Sequence, residues 1–184
     1  QGAGRDHRQD PETSTCMPDT EILSSERVHR IVVRLAYQIL ERNRGADNLV
    51  ILGILKNGEK IGGAIANEIA RVEHPVPVYP LDVSAFRDDV DRDGREEVDG
   101  DLDLTDRDVV LVDDVLFTGR TARAALDAVV AFGRPRSIQL VVLVDRGHRE
   151  YPIHADYVGR ELPTKHRERV EVRVEPGMSV HLVE

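Results

Sequence analysis

Short apolar runs alternate with amphipathic stretches along most of the chain. Residues 49–55, 109–112 and 138–144 are almost continuously apolar, which is typical of parallel strands buried on both faces. Apolar residues also recur at helical spacing over roughly 25–40, 61–72 and 122–130, which predicts amphipathic helices. This alternation of strands and helices predicts an α/β domain with a mostly parallel central sheet flanked by helices.

Three stretches depart from this alternation. Residues 1–20 are polar and show no periodicity, so we expect a disordered extension or a remnant of cloning, followed by one domain over 21–184. Residues 90–108 contain mostly Asp, Glu, Arg and Gly, which predicts a mobile loop or hairpin. Short alternating segments between 157 and 182 predict strands that complete the sheet or form a small hood.

Composition narrows the class of protein further. Tryptophan is absent and 4% of residues are aromatic, so the core must consist mainly of Val, Ile, Leu and Ala. The net charge of −9 argues against broad, non-specific binding to nucleic acid, although it permits a local basic face. Cys16 is the single cysteine and no apolar stretch is long enough to span a bilayer. We therefore expect a cytoplasmic protein that does not contact membranes.

One junction places polar chemistry directly after an apolar strand. Asp113 and Asp114 follow the run Val109-Val110-Leu111-Val112 and precede Val115-Leu116-Phe117 and the turn Thr118-Gly119-Arg120-Thr121. Ligands of open α/β sheets bind beyond the carboxyl ends of strands. Amides, hydroxyls and a guanidinium at a helix N-terminus favour phosphate, whereas carboxylates suit sugar hydroxyls or hydrated Mg²⁺. A phosphorylated ribose offers both partners.

This junction resembles the phosphoribosyl pyrophosphate (PRPP) loop of type I phosphoribosyltransferases. With Arg134-Pro135-Arg136-Ser137-Ile138-Gln139-Leu140 and Val144-Asp145-Arg146-Gly147-His148-Arg149-Glu150, it resembles the PyrR family over roughly residues 21–184. The resemblance implies a type I phosphoribosyltransferase fold, in which a mostly parallel sheet carries a small hood and a flexible flap. It also implies two activities: conversion of uracil and PRPP to UMP and pyrophosphate, and UMP-dependent binding to pyrimidine-operon leader mRNA, which attenuates transcription. The alternative is an ordinary strand-turn-helix unit with surface acids.

The resemblance also implies roles for individual residues. Asp113, Asp114 and Arg87 are the expected catalytic residues; the two acids hold the ribose hydroxyls and Arg87 reaches the pyrophosphate from the flap. Arg146 is the candidate contact to uracil, and Mg²⁺ is expected to arrive with PRPP without a direct side-chain ligand. The residues expected to contact PRPP or UMP are Lys56, Asn57, Gly58, Arg87, Asp113, Asp114, Val115, Leu116, Phe117, Thr118, Gly119, Arg120, Thr121, Arg146 and Val170.

The turn expected to wrap the pyrophosphate departs from the family pattern. PyrR-like proteins usually have Thr-Arg-Gly there, whereas this chain has Lys56-Asn57-Gly58. The cation therefore stands one position earlier, and a lysine neutralises phosphate as a point charge, without the bidentate fork of arginine. This departure suggests a second hypothesis, that the protein is a nucleotide-sensing RNA regulator with weak or no catalysis.

The resemblance further implies RNA binding by a homodimer or a higher oligomer. The candidate RNA-binding residues are Arg30, Arg34, Arg42, Arg149 and Arg160. A solvated basic face on an amphipathic helix is the alternative for the arginines of the first helix. The family often has other residues where this chain has Val33, Tyr37 and His154. With the negative net charge, these departures suggest a third hypothesis, a phosphoribosyltransferase that does not bind RNA.

Overall fold

The structure is a computed structural model that describes residues 19–87 and 102–183. The predictions for residues 1–18 and for residues 88–101 of the flap lie outside the described residues. None of the helices in the described part is both long enough and apolar enough to cross a membrane.

The elements follow the predicted alternation closely. A 3-10 turn at Ser84–Phe86 lies between the third and fourth strands. The helices and strands are β1 (Asp19–Leu23), α1 (Ser25–Asn43), β2 (Leu49–Ile54), α2 (Asn57–Ile69), β3 (Val78–Leu81), β4 (Asp108–Leu116), α3 (Arg120–Ala131), β5 (Ser137–Asp145), β6 (Tyr157–Glu161), β7 (Arg169–Arg173) and β8 (Ser179–Val183).

Five strands form a central parallel sheet in the order β3-β2-β4-β5-β6. The chain moves from β2 outward to β3 and then resumes on the other side of β2 with β4. The direction of winding therefore reverses between β2 and β4, where open α/β sheets bind their ligands. This architecture confirms the predicted fold class.

The central strands are apolar throughout because both faces of the sheet are buried. Alternate residues enter two different cores: Val110 and Val112 face α1 and α2, whereas Val109 and Leu111 face α3. Successive side chains of a strand point to opposite faces, so a run without polar residues is required when helices cover both. The sheet is thereby the middle layer of three.

A second, antiparallel sheet has the order β1-β8-β7 and forms the hood. The predicted hood strands are therefore β7 and β8, while β6 completes the main sheet. Strand β1 was not predicted, and it includes Asp19 and Thr20, which the sequence places in the polar extension. Five residues are too few for a clear alternation, and β1 becomes a strand through its pairing with β8.

The described end of the predicted mobile loop is anchored. Leu104 is 0% exposed and packs in the core beneath α3, and its backbone N–H donates to the Phe132 carbonyl at 3.0 Å. Asp108, the last residue of the predicted loop, is instead the first residue of β4, and its carboxylate pairs with Arg136. Leu104, with the partly buried Leu102, therefore holds this charged segment against the domain.

Candidate active site

The candidate site lies at the carboxyl ends of β2 and β4, where the winding of the sheet reverses. Helix α2 begins at Asn57 directly after β2, and its first turn touches β4. A Cβ atom on Gly58 would lie 2.2 Å from the Val112 carbonyl oxygen, so this approach requires glycine. The contact brings the predicted pyrophosphate turn against the strand end that carries the two acids.

The adjacent acids occupy different environments. Asp113 is 8% exposed, and burial, with the neighbouring charge of Asp114, raises its pKa to about 8. Asp114 Oδ1 accepts from the Val115 backbone N–H at 2.7 Å, and Oδ2 accepts from the Asn57 amide at 2.7 Å. At neutral pH Asp113 is therefore mainly protonated, whereas Asp114 presents a carboxylate held at both oxygens.

The predicted phosphate loop passes from β4 into the N-terminus of α3. Gly119 has φ +91°, a backbone conformation that favours glycine, and a Cβ there would lie in tight contact, 3.3 Å from the Tyr151 side chain. The Thr118 carbonyl accepts from the Glu150 and Tyr151 backbone N–H groups. These contacts fix the loop against the segment after β5 and direct the first amides of α3 toward the sheet edge.

Arg120, a predicted phosphate contact, also holds the loop to this segment. Its guanidinium pairs with Glu150 at 2.6 Å and lies over the Tyr151 ring, 5.3 Å from the centroid. The contacts of Glu150 and Tyr151 with Arg120 were not predicted, because nothing in the local sequence pattern indicates them.

Asn57 lies within the site, and Lys56 is exposed beside it. The Asn57 amide nitrogen donates to Asp114 Oδ2 and, at 3.2 Å, to the Val172 carbonyl of β7. The turn predicted to hold pyrophosphate is thus joined to both the acid pair and the hood.

Arg146 follows β5 and is 7% exposed. Its guanidinium stacks on the Phe117 ring, 4.1 Å from the centroid, and donates from Nε to Thr164 Oγ1 at 3.0 Å and from Nη2 to the Glu168 carbonyl. Burial lowers its pKa. The predicted uracil contact therefore also supports the segment that leads to β7.

A ring cluster closes this end of the site. His148 and His166 have centroids 4.4 Å apart, and each ring meets Phe117 edge-on at 5.8 and 5.9 Å. His166 was not predicted, because a histidine in a charged loop carries no signal of a ring contact.

Three other predicted residues have distinct positions. Arg149 points inward: it pairs with Asp145 and donates to the Phe117 carbonyl at 2.7 Å and the Ile153 carbonyl at 2.9 Å. Arg87 follows the 3-10 turn after β3 and is partly buried. Val170 lies on β7 and packs partly against the core.

Three arginines of α1, on the side opposite its buried stripe, gather with Arg160 of β6. A cavity of about 550 Å³ opens between α1, β1 and β6, and its lining includes Arg27, Arg30, Arg34 and Arg160 over an apolar floor of Ile22, Leu23 and Ile31. We call these four arginines the basic face.

The members of the basic face are held to different degrees. Arg30 pairs with Glu26 at 3.0 Å, and Arg34 donates to the Gly159 carbonyl at 2.6 Å. Arg42 is the remaining predicted RNA contact on α1, and it pairs with Asp156 at 2.7 Å and lies over the Tyr157 ring. Of the five RNA candidates, three therefore lie on this face: Arg30, Arg34 and Arg160.

Within residues 19–87 and 102–183, no three His, Cys, Asp or Glu side chains come together as a metal site. Asp113 and Asp114 are adjacent, but one is buried with a raised pKa and the other is bound by Asn57. Their oxygens suit hydroxyl groups or the water shell of a magnesium ion better than direct coordination.

Known proteins resemble this chain in both sequence and fold. The family described as Phosphoribosyl transferase domain matches residues 19–174. A Bifunctional protein PyrR of Deinococcus radiodurans is 47% identical over 172 residues, covering 91% of this chain and 94% of the relative. A Bifunctional protein PyrR of Oceanobacillus iheyensis is 48% identical, covering 84% of this chain and 90% of the relative.

Solved structures add a likeness of fold. A hypoxanthine phosphoribosyltransferase of Trypanosoma cruzi has a TM-score of 0.70 at 19% identity, covering 90% of this chain and 96% of the other. A hypoxanthine phosphoribosyltransferase of Staphylococcus aureus has a TM-score of 0.65 at 23% identity, covering 79% of this chain and 78% of the other.

Proposed function

The chain belongs to the PyrR family of phosphoribosyltransferases, and from this premise we propose that it converts uracil and PRPP to UMP and pyrophosphate and binds pyrimidine-operon leader mRNA in response to UMP. The proposed catalytic activity is supported mainly by the groups that lie close together at the edge of the sheet. The acid pair, the phosphate loop and the turn after β2 meet where the winding of the sheet reverses. A sugar with a phosphate at one end and a leaving group at the other fits between them.

Each part of PRPP has a matching group. The amides at the start of α3 and the hydroxyls of Thr118 and Thr121 hold the 5′-phosphate, because a helix N-terminus presents free N–H groups to an anion. Asp114 accepts hydrogen bonds from the ribose hydroxyls. Protonated Asp113 can donate as well as accept, so the pair provides two kinds of contact.

The reaction exchanges one bond at ribose C1. Uracil N1 forms a bond to C1 as the C1–O bond to pyrophosphate breaks, and the proton of N1 passes to the departing pyrophosphate. Positive charge develops on the sugar, so the carboxylate of Asp114 stabilises it. Lys56 and Arg87 neutralise the pyrophosphate, and Mg²⁺ supplied with PRPP adds to that neutralisation.

Uracil is placed at the end of β5. The Phe117 ring and the Arg146 guanidinium stacked on it form one wall. Because Nε and Nη2 of Arg146 already donate to the hood segment, backbone groups near the end of β5 supply most of the polar contacts to the base.

A steady-state assay tests the catalytic half. With saturating PRPP, uracil and Mg²⁺, we expect UMP and pyrophosphate in equal amounts. No turnover under these conditions would contradict the proposed enzymatic activity. It would favour the hypothesis of an RNA regulator with little catalysis, which is suggested by Asn57 standing where related proteins usually have arginine.

The basic face supports the RNA-binding half. Four guanidinium groups around an apolar floor can contact phosphates while a splayed base covers the floor. Gel-shift titration of a pyrimidine-operon leader hairpin, with and without UMP at one stated salt concentration, measures this binding. If micromolar protein fails to shift the hairpin, the proposal is reduced to a phosphoribosyltransferase without RNA binding.

A further inference from the structure

Asn57 stands at the centre of the crevice between β2 and β4. Its amide nitrogen lies 2.7 Å from Asp114 Oδ2 and 3.2 Å from the Val172 carbonyl oxygen. Both neighbours are acceptors only, so the side chain must present its NH₂ group to them. An asparagine amide has two N–H donors. Both are therefore used within the protein.

Because both donors are used within the protein, Asn57 has no N–H group available for a pyrophosphate. A pyrophosphate accepts hydrogen bonds and donates none. The polar atom of the Asn57 side chain that remains available to a ligand is its carbonyl oxygen, which is also an acceptor. Two acceptors repel each other. Asn57 is therefore unsuited to hold pyrophosphate directly, although it lies in the turn where that role was expected.

Asp114 is the group that Asn57 orients. The Val115 backbone N–H fixes Oδ1 at 2.7 Å, and Asn57 fixes Oδ2. Without Asn57, only one oxygen would be held and the carboxylate could rotate about its terminal bond. A carboxylate with a fixed plane presents its remaining lone pairs in one direction, which is what two neighbouring ribose hydroxyls require.

The elements that support Asn57 are closely packed. Asn57 begins α2, and Gly58 packs so closely that a Cβ would lie 2.2 Å from the Val112 carbonyl. Val172 is buried in the hood strand β7. The amide thus joins a helix, the acid-bearing strand and the hood at one point.

We propose that Asn57 is a positioning residue that orients the Asp114 carboxylate toward the ribose hydroxyls and couples it to the hood through Val172. This inference rests on the proposed function, because it assigns Asp114 to the ribose of the substrate. It implies that ligands containing ribose depend on Asn57 whether or not they carry pyrophosphate. Inorganic pyrophosphate alone does not depend on it.

The test compares two ligands that divide PRPP between them. UMP contains the ribose and 5′-phosphate, and inorganic pyrophosphate with Mg²⁺ is the leaving group. Calorimetry should show that Asn57→Ala weakens UMP binding about tenfold or more, the usual loss for a hydrogen bond to a charged group, and leaves pyrophosphate binding unchanged. Asn57→Asp, which keeps the volume but removes both donors, should weaken UMP binding at least as much.

Lys56→Ala is the matched control in the same turn. It removes an exposed cation, so it should weaken pyrophosphate binding and leave UMP binding unchanged, the opposite pattern. A double-mutant cycle of Asn57→Ala with Asp114→Ala should be strongly non-additive, because the asparagine acts through the carboxylate.

The outcomes separate the inference from the proposed function. Weaker pyrophosphate binding with unchanged UMP binding in Asn57→Ala would make Asn57 a direct pyrophosphate ligand and overturn the inference, as would binding of both ligands at wild-type affinity or additive losses in the cycle. If Asn57→Ala does not fold, Asn57→Asp decides by the same criteria. If the unaltered protein neither binds UMP nor consumes uracil, the proposed function itself fails.

Discussion

At the scale of single residues, the acid pair shows how strongly burial changes a side chain. Asp113 and Asp114 are neighbours on β4, so they point to opposite sides of the strand. Asp113 turns inward and its pKa rises to about 8, while Asp114 is held by Asn57 and a backbone N–H. Two identical side chains thereby offer one proton and one negative charge.

The double variant Asp113→Asn, Asp114→Asn should lose at least about a hundredfold in turnover, since it removes the charge that we propose stabilises the sugar cation. Its free energy of unfolding at neutral pH should not fall, because both replacements keep the side-chain volume and an Asn at position 113 has no proton to release on unfolding. Urea denaturation and the UMP assay on one preparation measure the two effects. An unfolded double variant would show that the acids serve the fold rather than a ligand.

The pKa of Asp113 also predicts how stability depends on pH. An unfolded aspartate releases its proton near pH 4, whereas native Asp113 keeps it until about pH 8. Unfolding therefore releases a proton between these values, and this group makes the protein less stable as pH rises through that window. Asp113→Asn has no such proton, so its stability relative to the unaltered protein should increase from pH 5 to pH 9.

Denaturation midpoints at pH 5, 7 and 9 measure this difference. Asp114→Asn provides a second check, because removing its charge takes away one cause of the raised pKa of Asp113, so the loss of stability should end at lower pH and be smaller. A constant difference between Asp113→Asn and the unaltered protein across the range would contradict the assignment of a raised pKa.

At the scale of elements, the site depends on how closely α2 approaches β4. At Gly58, in the first turn of α2, an added Cβ would clash with the backbone of β4. At Gly63 in the same helix, an added Cβ would have no atom within 4 Å. The two glycines therefore have different reasons to be present. One permits a contact between elements, and the other only loosens the helix.

Alanine at these two positions should have opposite effects. Gly58→Ala would force the backbone of β4 and α2 apart, so we expect a loss of roughly 1–3 kcal/mol in unfolding free energy together with weaker UMP binding. Gly63→Ala should stabilise the protein by up to about 1 kcal/mol, because alanine favours the helix. Thermal unfolding of both variants provides the comparison, and equal effects would refute the tight packing at Gly58.

At the scale of the whole molecule, charge is unevenly distributed. The chain carries a net charge of −9, yet Arg27, Arg30, Arg34 and Arg160 share one cavity lining. Repulsion from the acidic remainder weakens general association with nucleic acid, and the basic face supplies local attraction. Such a protein is suited to selective rather than indiscriminate contact with RNA.

Salt dependence tests the proposed contact between the basic face and RNA phosphates. If Arg160 contacts one phosphate, Arg160→Ala should reduce the slope of log K against log salt by about 0.7–0.9 for the leader RNA. Arg71→Ala is the control, because Arg71 is exposed near the end of α2 and lies outside the basic face. Equal slopes for the two variants would remove Arg160 from the RNA-binding surface.

Much of this organisation follows from sequence because it is local. The apolar runs, the helical stripes and the run from Asp113 to Thr121 each depend on neighbouring residues, and the sheet, its helices and the loop between β4 and α3 lie where those patterns predict. The observed element boundaries differ from the predicted ones where contacts of a few residues determine the structure. Leu104 anchors a charged loop to the core, and β1 is a strand because it pairs with β8.

The sequence by itself therefore determined the family, the fold class and which strand end carries the acids, since periodicity and contiguous motifs need no knowledge of distant contacts. The tertiary structure alone decided which partners these groups meet. Asn57 binds Asp114 and Val172, Arg149 turns inward, and Arg120 pairs with Glu150. These pairs are 30 or more residues apart in the chain, and only the pairing of β4 with β2 and β5 and the packing of the hood bring them within hydrogen-bonding distance.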